Sequence, residues 1–350
     1  MFSFDSTGTQ PNKAYIVAEM SGNHGGSLER ALEIVEAAKL AGADAIKLQT
    51  YTPDTITFKS YKQDFLIPSK SPWSSHANLW ELYQQAHTPW DWHGDIFAKA
   101  ASLKLDYFSS PFDESAVEFL MEFDVSAMKI ASPEITHIPL LKKVAKTGLP
   151  VIVSTGLANQ SDIDLAVSAI RSEGKSELAL LQCASAYPAP LSECNLNTLR
   201  DMASKYKTVV GFSDHTLGST AAMTAVACGA QIIEKHIDLD DSATETVDGF
   251  FSANANEFKQ YVESIREVEL CLGTVDYEIS ETSKIGLNGR RSLYVVKDLR
   301  PGDVLSVDNV RCIRPTYGMH PMYFENLLGK KVVTSLQAGD RLTMDVVQWK

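Results

Sequence analysis

The sequence predicts an α/β protein made of a (β/α)₈ TIM barrel followed by a small, mostly β domain. Three observations lead to this prediction. Short apolar runs alternate with helix-length segments eight times over about 270 residues, the size of one such barrel. Nearly every apolar run ends in a polar or charged residue, as the C-terminal edge of a barrel enzyme does. The pattern then changes after Thr282.

Eight apolar runs are the predicted strands, at 14–20, 45–51, 107–112, 127–132, 151–155, 178–185, 209–215 and 231–237. Helical periodicity separates them, as at 115–123, 163–173 and 257–272. The first helix, 28–41, has Ser27 as its predicted N-cap and Gly42 at its C-terminal end. A doubly wound open sheet is the alternative, but it normally has fewer strands and a glycine-rich first turn.

Segment 53–89 interrupts the alternation. It carries Trp73 and Trp80 together with several tyrosines, and we interpret it as an inserted lid or substrate loop. Beyond it, segment 290–350 has short strand-like runs and two related turns of the form Gly-Asp preceded by Leu, at Leu299 and Leu336. The predicted domains are therefore a barrel at 1–282 and a small β domain at 283–350, joined through a linker at 276–288.

Composition excludes several classes of protein. The net charge of −12 argues against a nucleic-acid partner, and no run of about 18 apolar residues predicts a membrane span. The first residues lack the basic and apolar regions of a secretory signal. Five scattered cysteines without paired spacing indicate a reducing compartment, so we expect a cytoplasmic protein without a disulfide framework.

Two histidines end consecutive predicted strands. The run from Val209 ends at His215, and the run after a helix-length segment ends at His236. Because parallel strands of one β-α-β unit end at the same edge of the sheet, the two imidazoles should be neighbours. A structural role is common for a single histidine, but a pair at equivalent strand ends favours a divalent-metal site.

Two lysines and several serines occupy other strand ends. A lysine in a barrel strand is costly unless an anion or a carboxylate meets it. Lys47 and Lys129 therefore predict either a phosphate or carboxylate site, or pairing with acids such as Glu19 and Glu234. The serines that accompany them at strand ends are Ser110, Ser132, Ser154, Ser185 and Ser213.

Several motifs resemble the sialic acid synthase family, whose members condense phosphoenolpyruvate with an amino sugar. They are Ala18-Glu-Met-Ser-Gly-Asn-His, Lys47-Leu-Gln-Thr, Lys129-Ile-Ala-Ser, Gly211-Phe-Ser-Asp-His-Thr and Ile233-Glu-Lys-His. The segment with Arg291-Ser-Leu-Tyr-Val and Gly318-Met-His-Pro resembles that family's antifreeze-like (SAF) domain. The motifs from Glu19, Leu48 and Ala86 are most similar to the pseudaminic acid branch. The family usually has Asn-His-Asn-Gly where this chain has Asn-His-Gly25-Gly.

The resemblance implies roles for individual residues. Glu19 and Glu234 would be catalytic, and His215 and His236 would hold Mn²⁺ or Mg²⁺. Phosphoenolpyruvate would contact Lys47, Ser110, Lys129, Ser132, Ser154, Ser185 and Ser213. The sugar would contact Gln49, Tyr187, Asp248 and Arg314, the last reaching from a second subunit of a domain-swapped homodimer. The implied acceptor is 2,4-diacetamido-2,4,6-trideoxy-L-altrose, with the legionaminic and N-acetylneuraminic precursors as alternatives.

Two other classes stay open from the residues alone. A Schiff-base aldolase would use Lys129 or Lys235 as its nucleophile and would need no metal. A sugar- or surface-binding protein would rely on the C-terminal domain, although the polar barrel edge makes that redundant. The paired histidines favour the metal-dependent condensation.

Overall fold

The computed structural model describes residues 13–174, 176–239 and 246–349. The chain forms two units, Met1–Gly273 and Thr274–Lys350, each with its own hydrophobic core. The predicted boundary between 282 and 283 lies in the exposed segment that follows this division. Within that segment Glu281–Lys284 forms a short helix, α11.

The first unit is a closed barrel of parallel strands. The strands are β1 Tyr15–Glu19, β2 Ala45–Thr50, β3 Asp106–Pro111, β4 Met128–Ile130, β5 Val151–Ser154, β6 Leu178–Cys183, β7 Val209–Asp214 and β8 Ile232–His236. Pairing of β1 with β8 closes the ring. Almost every strand position is buried, as expected for parallel strands covered by helices. The predicted fold class is therefore confirmed.

Helices connect the strands in the predicted order. They are α1 Leu28–Leu40, α2 Pro53–Ile56, α3 Leu79–Ala86, α4 His93–Ser102, α5 Glu114–Leu120, α6 Ile138–Ala145, α7 Gln160–Glu173, α8 Thr198–Tyr206, α9 Thr220–Ala227 and α10 Ala255–Leu272. Helix α1 begins where predicted, because the Ser27 side chain accepts a hydrogen bond from the Arg30 amide. Across the described ranges, none of the helices combines the length and apolar character needed to cross a bilayer.

Strand β4 is shorter than the predicted run of 127–132. Ser132 already belongs to a 3₁₀ turn, Ser132–Thr136, with Pro133 in its first positions. Proline has no N–H for the strand ladder, so pairing stops before it. Ser132 is thereby turned from a strand position into the first residue of a loop at the edge of the barrel.

The insertion after β2 contains α2, α3 and a 3₁₀ turn at Gln63–Phe65. Helix α3 begins at Asn78, whose side chain accepts from the Glu81 amide. The insertion reaches the loop after β8, where the Trp73 indole donates to the Val247 carbonyl at 2.9 Å. Segment 53–89 thus contributes a wall beside the C-terminal edge of the barrel.

After α11, the described part of the second unit contains four short strands and one further α-helix. They are β9 Ser292–Val295, β10 Val310–Ile313, β11 Lys331–Val332, β12 Val347–Gln348 and α12 Phe324–Leu327. The pairs β9–β10 and β11–β12 are antiparallel. The two turns noted in the sequence meet, because Leu299 and Leu336 exchange backbone hydrogen bonds and both are buried.

Candidate active site

Strand register brings the polar strand ends together at one edge of the barrel. Glu19 pairs with Lys47 on one side and with His236 on the other. Between β7 and β8, Ser213 lies beside Glu234. The predicted convergence of these side chains at the C-terminal edge is therefore observed.

Four ionisable side chains form the centre of this edge. This charged cluster consists of Glu19, Lys47, Lys129 and Glu234, all buried. Lys47 Nζ forms an ion pair with Glu19 and lies 3.7 Å from Glu234, while Lys129 Nζ lies 3.4 Å from Glu234. Both lysines thus pair with acids, the second of the two possibilities that the sequence left open. Removing two cations and two anions from water costs free energy of folding. A barrel without a function at this edge would not need such a cluster.

The two glutamates differ in acidity. Burial raises the pKa of Glu19, and the nearby Glu234 adds to that effect, although Lys47 opposes it. Burial also acts to raise the pKa of Glu234, but Lys129 and Lys47 outweigh it and lower the pKa to about 2. Two carboxyl groups whose acidities are driven apart are the usual basis for separate acid–base roles. Of the two, Glu19 is therefore the carboxyl that holds a proton more readily, and Glu234 is the one that favours the anion.

Burial lowers the pKa of Lys129, in spite of the neighbouring Glu234. For Lys47, burial acts in the same direction, but Glu19 and Glu234 together raise the pKa. Lys47 is thus the firmly charged cation of the cluster. An incoming anion would compete with the two carboxylates for both ammonium groups.

Two of the predicted serines contact this cluster, and two others bond to each other. Lys47 donates to Ser110 Oγ at 3.4 Å, and Ser213 donates to Glu234 at 2.9 Å. Ser185 donates to Ser132 Oγ at 3.4 Å. Ser154 Oγ is buried and has no hydrogen-bond partner within the described ranges. An unpartnered buried hydroxyl is costly, so it is a donor suited to a ligand oxygen.

His215 and His236 are neighbours, with ring centroids 5.5 Å apart. His215 Nδ1 donates to the Ala184 carbonyl at 3.1 Å. Nε2 therefore carries no hydrogen, and its lone pair can bind a cation. His236 Nδ1 is buried, and no partner for it occurs among the residues that the structure describes. Burial lowers the pKa of His215 to about 4 and that of His236 well below 6.5, so both rings are neutral at physiological pH.

Two neutral, adjacent imidazoles with free nitrogens fit a divalent cation such as Mn²⁺ or Mg²⁺. The described part of the chain holds no group of three or more His, Cys, Asp or Glu side chains suited to a metal ion. A cation there would therefore keep positions for water or substrate. The two rings are neighbours as predicted, whereas metal binding by them and the choice of metal stay predictions.

The predicted sugar-binding residues of the barrel also meet here. Gln49 Nε2 donates to Glu19 at 3.0 Å and to Ser21 Oγ at 3.1 Å, and Ser21 donates to Asp248. The Tyr187 ring lies 4.5 Å from that of His215. Arg314 belongs to the second unit, so its predicted contact with a sugar stays a prediction.

Aromatic side chains line the side nearest the histidines. Trp73 lies edge-on to Tyr187 at 5.5 Å and to Phe250 at 5.8 Å. Phe251 packs against His236 at 4.7 Å. Trp80, the other tryptophan expected here, instead donates to Asp54 and lies under Lys59 within the insertion. Only one of the two tryptophans therefore contacts this wall.

Glu134 was missed in the sequence. It follows β4 in the Ser132–Thr136 turn, and its Oε2 is buried without a hydrogen-bond partner among the described residues. Burial raises its pKa to about 7, against a weaker opposing effect of Lys129. Its place directly after a predicted strand end was the available signal, because such positions face the mouth of a barrel.

A closed parallel barrel with a buried cluster of acids, lysines and imidazoles at its C-terminal edge defines a (β/α)₈-barrel enzyme. The chain belongs to the NeuB family, whose model matches residues 34–277. Residues 290–348 match the SAF domain. Both parts of the resemblance noted in the sequence are confirmed.

Three known proteins place the chain within this family. Pseudaminic acid synthase of Campylobacter jejuni subsp. jejuni strain 81-176 is 42% identical over 330 residues, 94% of this chain and 95% of that protein. N,N'-diacetyllegionaminic acid synthase of Legionella pneumophila is 33% identical, covering 95% and 94%. The crystal structure of N-acetylneuraminic acid synthetase from Leptospira borgpetersenii is 31% identical with a TM-score of 0.69, covering 79% of this chain and 90% of that one.

Proposed function

We propose that this enzyme condenses phosphoenolpyruvate with 2,4-diacetamido-2,4,6-trideoxy-L-altrose and water, releasing pseudaminate and phosphate. The observation that carries the proposal is the charged cluster of two lysines beside two neutral imidazoles at one edge of the barrel. The 42% identity to a pseudaminic acid synthase supports this acceptor over the legionaminic precursor, whose synthase is 33% identical.

Phosphoenolpyruvate carries a phosphate and a carboxylate, and both need donors. Lys47 and Lys129 supply charge, and Ser154 supplies an unpartnered hydroxyl. Ser110 and Ser213 contact the same cluster, and Ser132 and Ser185, which bond to each other, would add further hydroxyl groups. Binding of the trianion would displace Glu19 from Lys47, because the ligand offers more negative charge than one carboxylate.

The chemistry then divides between the chain's own groups. The C2=C3 double bond of phosphoenolpyruvate opens as C3 bonds to the aldehyde carbon of the open-chain sugar, which leaves C2 electron-deficient and turns the aldehyde oxygen into an alkoxide. Water adds at C2 and gives one proton to Glu19, whose raised pKa suits a general base and which returns that proton to the alkoxide. The bond from C2 to the phosphate oxygen then breaks, and the second proton of the water leaves with the phosphate as the ketone forms. Glu234 stays ionised and holds the two lysines in place.

His215 and His236 would hold a divalent cation, Mn²⁺ or Mg²⁺. Such a cation supplies Lewis acidity that makes an aldehyde carbon more electrophilic. The support for it is the pair of neutral rings, one with its Nδ1 fixed by Ala184 and the other with an unpartnered Nδ1.

We also propose a cytoplasmic, domain-swapped homodimer in which Arg314 meets the sugar in the barrel of the other subunit. The second unit supplies a basic pocket of about 590 Å³ that Arg290, Arg291 and Arg314 line. Arg314→Ala and His236→Ala enzymes, each inactive alone, should regain partial activity when their subunits exchange. Exchange without recovery would assign Arg314 to its own barrel.

A Schiff-base aldolase is the second candidate, because burial lowers the pKa of Lys129 and so favours the free amine. Lys235 does not suit that role, since it donates to the Thr216 carbonyl at 2.6 Å and to Asp214 at 3.4 Å. Borohydride trapping of a substrate on Lys129, with full activity in EDTA, would support the aldolase.

The test is a phosphate-release assay with phosphoenolpyruvate and three acceptors: the L-altrose derivative, the 2,4-diacetamido legionaminic precursor and N-acetylmannosamine. The wall of Trp73, Tyr187 and Phe250 favours a 6-deoxy, diacetamido sugar over one with more hydroxyl groups. We expect the L-altrose derivative to exceed N-acetylmannosamine in kcat/KM by at least about 10²-fold. A preference for N-acetylmannosamine would refute this choice of acceptor.

A further inference from the structure

Ser21 combines two features that rarely occur together. Its backbone has φ of 49°, in the left-handed region that disfavours residues with a Cβ, and its side chain is buried. Glycine would fit this turn without that cost. A strained, buried residue that is not glycine indicates that the side chain itself is needed.

The Ser21 hydroxyl connects two side chains that are predicted to bind the sugar. It donates to Asp248, 227 residues away, and accepts from Gln49 Nε2 at 3.1 Å. The second N–H of that amide goes to Glu19 at 3.0 Å. Because both N–H groups of Gln49 are then used, the amide can only accept from a ligand, through its oxygen.

Other segments of the barrel edge also contact the loop that carries Asp248. Asp248 stands next to Val247, whose carbonyl accepts from the Trp73 indole. Burial raises the pKa of Asp248, although hydrogen bonds from the Ser21 hydroxyl and the Gly22 backbone favour the charged carboxylate. The loop after β1, the insertion and the loop after β8 thus meet around one carboxylate, and Ser21 is the part contributed by the loop after β1.

We propose that Ser21 is a positioning residue for the acceptor sugar: its hydroxyl fixes the amide of Gln49 and the carboxylate of Asp248 in one orientation. This inference rests on the proposed function. The proposed contacts of phosphoenolpyruvate are Lys47, Lys129 and the strand-end serines, and they do not include Gln49 or Asp248. Loss of the hydroxyl should therefore affect the two substrates unequally.

The experiment compares Ser21→Gly with Ser21→Ala. Both remove the hydroxyl, but only glycine relieves the backbone strain, so the Tm of Ser21→Gly should exceed that of Ser21→Ala. Both should raise KM for the acceptor sugar about tenfold and leave KM for phosphoenolpyruvate unchanged. Lys207→Gly is the matched control, because Lys207 also has φ of 49° but is exposed at the end of α8. It should leave both KM values unchanged.

A double-mutant cycle with Asp248→Asn identifies the path of the effect. If Ser21 acts through Asp248, Ser21→Gly should raise the acceptor KM much less in the Asp248→Asn background than alone. Wild-type acceptor KM in Ser21→Gly, or an equal rise in both KM values, overturns the proposal. Failure of the wild-type enzyme to turn over any of the three acceptors would refute the proposed function and this inference together. Turnover with unchanged Ser21→Gly kinetics would refute only the inference.

Discussion

The mouth of the barrel has two unlike halves. One half contains Lys47 and Lys129 with Glu19 and Glu234, so charge is balanced by charge. The other half contains the neutral rings of His215 and His236, which Tyr187 and Phe251 cover. The first half suits a small polyanion, and the second suits an electron-pair acceptor and a partly apolar sugar. The difference shows how one barrel can hold two chemically unlike substrates against each other.

The largest expected effect comes from the imidazole half. His236→Ala should lower kcat/KM on the order of 10³-fold or more, because one of the two proposed metal ligands is lost. Metal content after dialysis should fall in the same variant. His137→Ala is the control, since His137 is exposed after the Ser132–Thr136 turn. Near-normal turnover of His236→Ala after EDTA treatment would show that the imidazole half does not act through a bound metal.

In the charged half, Glu19→Gln keeps the shape and the contact with Gln49 but removes the base. We expect kcat to fall roughly 10²-fold, while KM for the sugar changes little and KM for phosphoenolpyruvate does not rise, since the ligand no longer displaces a carboxylate from Lys47. Glu36→Gln, at an exposed acid that pairs with Lys99, is the control. Steady-state kinetics decide the matter, and an unchanged kcat would move the proton-accepting role away from Glu19.

Lys129→Met tests whether phosphoenolpyruvate binds in the charged half of the mouth and the sugar in the imidazole half. It removes one buried cation beside Glu234, and KM for phosphoenolpyruvate should rise about 30-fold, with a much smaller change for the sugar. The measurement is the ratio of the two KM values. If the sugar KM rises as much, the halves do not bind separate substrates.

The smallest effect concerns Glu134 and is a stability effect. Its pKa of about 7 in the folded protein lies above the ordinary value of 4.5. The stabilising contribution of the protonated group is therefore fully present below about 4.5 and is lost as the pH rises through about 7. Glu134→Gln should be more stable than the wild type at pH 8, by about 1–3 kcal/mol, and equal to it at pH 4.5. Denaturant unfolding at both pH values tests this, and equal stabilities at pH 8 would place the Glu134 carboxyl in water.

The order of strands and helices could be predicted because burial on both faces leaves continuous apolar runs, and amphipathic periodicity marks the helices between them. The strand-end residues could be predicted for the same reason, since parallel strands all end at one edge. The insertion was recognised as a break in that pattern, but its content was not. Trp73 and Trp80 are equivalent in the sequence, and only Trp73 contacts the wall.

The sequence by itself determined the barrel, the pair of histidines and the presence of two lysines among acids. Tertiary structure decided which of the two acids holds a proton more readily, because the acidity of Glu19 and Glu234 depends on distances to Lys47 and Lys129 that no spacing encodes. It also decided the contact of Ser21 with Asp248, which depends on the closure of β1 against β8. Periodicity reports which face of an element is buried, whereas pKa values and long-range hydrogen bonds depend on separations of a few ångströms set by packing.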